Sequence, residues 1–401
     1  VKFSVLLPTR NRANLVANAI ETVRRQDFGD WEIVVSDNAS EDDTEAVVKR
    51  FGDPRIKYHR TASYVPVTEN WNRALELSSG DYMVMLGDDD GLLRGCLSTL
   101  ARLADAQGTP DVLSLNALLY AYPGVLPPFP DGFLQPYGYA EFLEGATEPF
   151  VLDAARRKAL LAQSMSFHVR FGFNMQFWVV HRRLVQRLAP RGPFFQSPYP
   201  DYYAANALLH AAERIVVVPE PLVVIGISPK SFGFFYFNER EREGVLFLQN
   251  TPDGAMLARL AHVVLPGTNM NTSWLLAMEH LRESFRDEAD LPVDHARYRW
   301  LQTVAVYRRR ILGLPGADDD VRELRAKLTS GERRCTMPLA ALAAFTRILP
   351  PSFRRRAANV LVASTKTHIR FDPPRYEGTF PTILDVYDAF DPKRGLPFRS
   401  R

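Results

Sequence analysis

The first ninety residues alternate between two hydrophobic periods. Phe3 to Leu7 is a β-rich apolar run that reaches Pro8, and a polar turn, Thr9 to Arg12, follows. Leu15, Val16, Ala19, Ile20 and Val23 then recur at helical spacing. WEIVVSD at 31–37 reads as a strand closing on Asp37, NASEDDT as its loop, and Thr44 to Phe51 as a second helix. Ile56 to His59 predicts a short strand. Glu69 to Leu77 predicts a third helix, stopped by Ser78, Ser79 and Gly80. YMVML at 82–86 is another buried strand, and it runs into GDDDG. Strands alternating with helices at this spacing predict right-handed crossovers and a mainly parallel sheet. Ligands of such sheets bind beyond the carboxyl ends of the strands. Three polar clusters fall there: Thr9 to Arg12, Asp37 to Ser40, and Asp88 to Asp90.

Later segments read differently. Residues 121–150, rich in proline, glycine and aromatics, predict a long irregular stretch suited to a lid or acceptor loop. FNMQFWVVHRRLVQRL reads as a strand and then a helix. Another helix starts near Asp201, and strands follow near 215–218 and 222–227. SFGFFYFN at 231–238 reads as a second irregular aromatic stretch that closes the first domain. Beyond about 245 the spacing turns helical. Leu275, Leu276, Met278, Leu281 and Phe285 share one face, and Trp300, Val304, Tyr307 and Ile311 share another. The expected organisation is residues 1–240 as one α/β domain and 241–401 as a mainly helical region.

Composition narrows the function. A chain of 401 residues with 46% hydrophobic and 24% charged residues supports a sizeable core. A formal net charge of +3 argues against a nucleic-acid polycation. Two distant cysteines, Cys96 and Cys335, argue against a disulfide framework and a cysteine zinc site, and suit a reducing compartment. With no apolar run of spanning length and no signal-peptide pattern, the expectation is a cytoplasmic protein. ILPPSFRRRAANVLVAS at 348–364 reads either as a basic amphipathic helix on anionic lipid or as an ordinary surface helix. The first alternative would attach the chain peripherally to the inner membrane face.

The runs VLLPTRNR, WEIVVSDNASEDDT and NWNRALELSSGDYMVMLGDDD together resemble the inverting GT-A glycosyltransferases of the large family 2 type. That family typically reads PTYNR, then DDGSTDGT, then N-x-AL-x-x-A-x-GDYI-x-x-L-D-x-DD. The resemblance is close over the first quarter of the chain and looser to about residue 230. It implies a GT-A fold, with a Rossmann-like, mainly parallel sheet. It also implies a nucleotide-diphospho-sugar donor, UDP-sugar favoured, and a Mn2+ or Mg2+ cofactor. A carbohydrate or glycolipid-like acceptor is implied as well, in cell-surface polysaccharide or glycoconjugate synthesis.

Each role has a chemical reason. A departing diphosphate gains charge, which a hard cation on carboxylate oxygens neutralises. By the resemblance, Asp89 contacts the metal and Asp88 faces ribose or sugar. If Asp89 is the second acid of the family's D-x-D, its first position is Gly87; pairing Asp88 with Asp90 restores the motif in another register. Both registers stay open, so Asp89 and Asp90 are the metal candidates. Asp37 would accept from the nucleobase, although an Asx-turn with Ser40 explains it equally. Pro8, Thr9, Arg10, Arg12 and Asn72 complete the expected donor site. Arg10 stands where the family often has a base-stacking aromatic, and its guanidinium can also stack. Asp201 is the expected catalytic base, against the alternative of a helix cap.

Other features are read as structural. His168 among Phe167, Val169 and Phe171 reads as a core residue, and Asp318 to Asp320 as charge at a helix N-terminus. Two other functions fit the same residues: a sugar nucleotidyltransferase, and a non-catalytic nucleotide-sugar-binding protein on this fold. PTRNRANL has no glycine, which counts against the first. No nucleic-acid partner is expected.

Overall fold

A computed structural model describes residues 1–391 apart from 138–139, 144, 239, 241–242, 245–253, 268, 366–374 and 377. Ten strands form one sheet: β1 Phe3–Thr9, β2 Trp31–Asp37, β3 Ile56–Arg60, β4 Tyr82–Met85, β5 Gly91–Leu92, β6 Val112–Ala121, β7 Phe133–Pro136, β8 Phe150–Val151, β9 Trp178–His181 and β10 Ile215–Ile227. The main order is β3-β2-β1-β4-β9-β6-β10-β5, with β7 beside β6 and β8 beside β10. β3, β2, β1 and β4 run parallel. β9 is antiparallel to both of its neighbours, β4 and β6, and β6 and β10 are parallel to each other. β6 and β10 therefore point the same way as β1, β2 and β4. The carboxyl ends of these five strands share one edge, and the start of β9 meets them there.

The helices α1 Ala13–Arg24, α2 Thr44–Lys49, α3 Val67–Glu76 and α4 Cys96–Ala106 fall within the first half of the sheet sequence. α1 buries Leu15, Val16, Ala19, Ile20 and Val23, the positions whose spacing predicts it. β2 is buried along its whole length, as a central parallel strand covered on both faces should be. β1 runs on through Pro8, which the apolar pattern places at its end. Pro8 lies past Leu6, the last residue paired to β4, where one side of the strand is open and tolerates a proline.

Three expectations need correction. Residues 121–150 are not all irregular, because β7 zips antiparallel onto β6 and β8 onto β10. The two strands expected at 215–218 and 222–227 are one strand, irregular around Pro219 to Pro221. The aromatic stretch near 231–238 contains a helix, Phe232–Phe237, opened by Ser231 accepting from the Phe234 N–H.

From Gly254 onward the described elements with regular structure are helices, as the spacing predicts. The helix Asn269–Ser284 buries Leu275, Leu276, Met278 and Leu281. The helix His295–Leu312 buries Val304, Tyr307 and Ile311 but leaves Trp300 exposed, so the expected face is turned slightly. The expected boundary at 240/241 falls beside residues outside the described set. Met256, Trp274 and Leu281 belong to the same apolar core as the sheet, so much of the helical region packs onto it. No described helix is long and apolar enough to cross a membrane.

Candidate active site

The common edge gathers residues far apart in sequence. Thr9 ends β1 directly opposite Asp37 at the end of β2. The Thr9 hydroxyl donates to Asp88 Oδ2 at 2.7 Å. Arg12 donates to Asp88 Oδ1 at 2.5 Å and, through its other terminal nitrogen, to the Lys230 carbonyl. Asp88 is thus gripped from the turn after β1, and the segment after β10 folds across that grip. Lys230 Nζ donates in turn to the Asn11 carbonyl.

The three carboxylates of the acidic run point to different partners. Asp89 Oδ2 accepts from the Ser228 hydroxyl at 2.6 Å, just beyond β10. Tyr122, just beyond β6, donates to the Asp89 carbonyl at 3.3 Å. Asp90 accepts from the Gly87 N–H and from Gln176 Nε2 on one oxygen, at 2.8 and 2.6 Å, and from the Gly226 N–H on the other, at 2.8 Å. All three side chains are almost wholly buried. Gly226 is required by this closeness: a Cβ there would lie 2.0 Å from the Asp89 carbonyl oxygen.

Charge is crowded under that cover. Burial, then the neighbouring Asp88, raises the Asp89 carboxyl, while Arg12 opposes the rise. Burial and the Asp89 charge raise the Asp90 carboxyl. Burial works against the Arg12 charge, but Asp88, Asp89 and Asp90 together hold its pKa above the ordinary value. The cluster is short of positive charge, which a cation bound there would supply.

Asp37 and Arg10 form the flank. Asp37 Oδ1 accepts from the Ser40 N–H at 2.9 Å, the Asx-turn read as an alternative from sequence. Its Oδ2 accepts from the Tyr58 hydroxyl at 2.5 Å. The turn includes Ala39 at φ 53°, and Asn11 across from it has φ 54°. Such left-handed non-glycine residues are uncommon and gather at functional sites. Mutual bonds latch the two turns: the Asn11 N–H to Ser40 Oγ, and the Glu41 N–H to Asn11 Oδ1. The Arg10 guanidinium lies 4.2 Å from the Tyr64 ring centroid. It stacks on a protein aromatic, beside the place where the resemblance expects stacking on a base.

Asp201 occupies the first turn of the helix Pro200–Ala211. Its Oδ1 is sealed from water and takes no hydrogen bond from the described residues. Burial pushes the carboxyl up to about 7, its own backbone N–H opposing weakly. Asp201 caps no helix: the N-cap is Tyr199, without a side-chain cap bond. Tyr137, next to the end of β7, is raised first by its own burial and then by the charges of Asp201 and Asp90. That phenol stands within electrostatic reach of both halves of the site.

Two expected residues have structural tasks. Asn72 exchanges both amide groups with the Phe195 main chain, accepting at 3.0 Å and donating at 2.9 Å. These bonds fasten α3 to the loop leading into the Asp201 helix. Asp90 spends both oxygens on three protein donors, which argues against it as the metal ligand. Asp89 meets one side-chain donor, Ser228, besides its own backbone N–H, and no group of three or more metal-ligating side chains occurs among the described residues. The residues therefore fit a cation held by one direct carboxylate, with other ligands from the donor. His168, read as a core residue, is instead half-buried between the buried Phe167 and Phe171, and its partial burial lowers its pKa.

Ser228, Gln176, Tyr122, Tyr58, Tyr64 and Tyr137 were not legible as site residues. Gly226 was the available signal, a lone glycine inside VVIGIS, where such a residue marks close backbone approach.

Residues 4–115 match the model of Glycosyl transferase family 2. Over 107 residues the chain is 45% identical to the GalNAc(5)-diNAcBac-PP-undecaprenol beta-1,3-glucosyltransferase of Campylobacter jejuni, covering 26% of this chain and 35% of that protein. Over 87 residues it is 31% identical to the UDP-Glc:alpha-D-GlcNAc-diphosphoundecaprenol beta-1,3-glucosyltransferase WfgD of Escherichia coli, covering 22% of this chain and 34% of that protein. The chain thus spans about a third of the length of these curated relatives. Among solved structures, S. aureus TarS 1-349 aligns over 82% of this chain and 90% of that chain, at 17% identity and a TM-score of 0.46.

Proposed function

Taking residues 4–115 as a family 2 glycosyltransferase segment, we propose that the protein transfers a sugar from a nucleotide diphosphate donor, UDP-sugar favoured, to a hydroxyl acceptor with inversion at the anomeric carbon. The observation that carries this reading is the joint placement of Thr9, Arg12 and Asp88 with Asp89 on one rim of parallel strands. Two of the curated relatives are named for undecaprenol-linked substrates, so a lipid-linked glycan is the acceptor class proposed.

Asp37 and the Arg10–Tyr64 stack form the base side. Arg12 carries a fixed positive charge toward the diphosphate. Asp89 would hold Mn2+ or Mg2+, which neutralises the charge growing on the leaving nucleoside diphosphate. Asp88, already gripped by Thr9 and Arg12, orients the ribose or sugar side. Asp201 takes the proton of the attacking acceptor hydroxyl. A base with a pKa of about 7 is matched to that task near neutral pH, since enough of it is ionised and it still binds a proton well. The acceptor oxygen forms its bond to the anomeric carbon as the bond to the diphosphate oxygen breaks, and configuration inverts in one displacement.

The test measures nucleoside diphosphate release from UDP-, GDP- and dTDP-sugars with Mn2+ and a polyprenyl-diphosphate-linked glycan. Donor- and acceptor-dependent release is expected, strongest with a UDP-sugar. Donor binding without any release, across acceptors, would instead favour a binding protein on the same fold.

A further inference from the structure

The helical region leaves apolar surface uncovered in one stretch. Five of the eight large apolar side chains exposed among the described residues lie between 337 and 360: Met337, Phe345, Ile348, Phe353 and Val360. Ile348 is 80% exposed and Val360 71%. Single exposed apolar residues are ordinary, but a concentration of them marks an interaction surface.

The helix Met337–Phe345 reads MPLAALAAF and has no polar side chain. It buries Leu339 and Ala343 against the His295–Leu312 helix and leaves Met337, Ala341, Ala344 and Phe345 exposed. A helix apolar all round belongs in a core or in lipid, and this one is covered on one side only. Ile348 ends the short 3₁₀ turn Thr346–Ile348 that joins it to the next helix, Pro351–Thr365. That helix buries Ala358 and Leu361. Phe353, Arg356 and Val360 stand at i, i+3 and i+7 on the opposite side.

Charge selects the partner. Residues 333–365 contain six arginines and no aspartate or glutamate. Arg347 is paired with Asp318, and Arg354 is turned onto main-chain carbonyls. Arg334, Arg355 and Arg356 are exposed and form no ion pair among the described residues. Arginine stems lie along apolar surface while their heads reach the phosphates, which suits the headgroup layer. Neither helix is long enough to span a bilayer.

We propose that residues 334–360 form a docking surface for an anionic phospholipid bilayer, with Met337, Phe345, Ile348, Phe353 and Val360 entering the interface and Arg334, Arg355 and Arg356 binding headgroup phosphates. The surface lies outside the transfer site and stands independently of the reaction proposed there.

Cys335 supplies the probe, because it is exposed whereas Cys96, the other cysteine, is buried. The full chain, labelled at Cys335 with a polarity-sensitive fluorophore, is titrated with vesicles of phosphatidylcholine alone or mixed equally with phosphatidylglycerol. The expected result is a blue shift and co-flotation with the anionic vesicles only. Replacing Arg334, Arg355 and Arg356 together by Gln should weaken binding by about a hundredfold, given the usual gain per basic residue at an anionic surface. Ile348→Ser with Phe353→Ser and Val360→Ser should weaken it too, with circular dichroism and donor binding unchanged. The proposal is overturned if the wild-type chain ignores anionic vesicles, or if both variants bind them as well as wild type. It is equally overturned if the serine variant merely dissolves a concentration-dependent dimer that shows no vesicle binding.

Discussion

Replacing Asp201 by Asn tests the base assignment through stability as well as rate. The carboxyl has a folded pKa of about 7 against an ordinary value of 3.8. Below pH 4 it is protonated in both folded and unfolded chains and contributes no pH dependence. Between about 4 and 7 the unfolded chain ionises it and the folded chain does not. The native state then binds more protons, so stability falls as pH rises through that window. Roughly three pKa units, at about 1.36 kcal/mol each, set a ceiling near 4 kcal/mol; partial exposure of the residue brings the expectation to about 2–4 kcal/mol. Asn cannot ionise, so Asp201→Asn should gain that much over wild type between pH 4.5 and 8. Urea unfolding of both proteins at several pH values measures the gap. Its slope is the quantity of interest, because the cost of burying an amide without a partner is the same at every pH. Turnover should rise about tenfold per unit below pH 7 in wild type and level off above it, while the variant binds donor and turns over at least a hundredfold more slowly. A pH-independent stability gap, or undiminished turnover in the variant, would refute the reasoning.

The acidic run yields a paired prediction. Asp89→Ala should abolish metal-dependent donor binding, read by thermal shift with and without Mn2+, and leave the fold intact. Asp90→Ala should orphan three buried donors and cost about 3 kcal/mol or more in unfolding free energy, yet keep the metal response in what remains folded. The reverse pattern would move the cation to Asp90. Gly226→Ala should also lose several kcal/mol and disturb donor affinity, since the strand must shift away from the Asp89 carbonyl; an undisturbed melting curve would contradict the packing. Arg12→Lys keeps one charge but cannot bridge Asp88 and the Lys230 carbonyl. Donor affinity measured by calorimetry should drop about tenfold, and equal affinity would show that the bridge is dispensable.

Periodicity revealed the first half of the sheet well, because β1, β2 and β4 are almost wholly buried and α1 has a clean apolar stripe. The alternation failed where β9 enters reversed and where β7 and β8 pair antiparallel. These short pairings depend on partners a dozen or more residues away, which local spacing does not encode. The acidic run was visible as a cluster, but its division of labour was not. Asp88, Asp89 and Asp90 are chemically identical, and they differ only in which strand ends face them. Asn72 is a motif position whose amide bonds to the Phe195 main chain lie beyond what local spacing encodes.

The span from Ser228 to Lys230, closed over the carboxylates and tied back to Asn11 and Arg12, has a kinetic consequence. Should donor entry to Asp89 require those few bonds to part, the tie would act as a gate. Association should therefore level off at high donor concentration, at the rate at which the tie breaks. Product escape would meet the same barrier from inside.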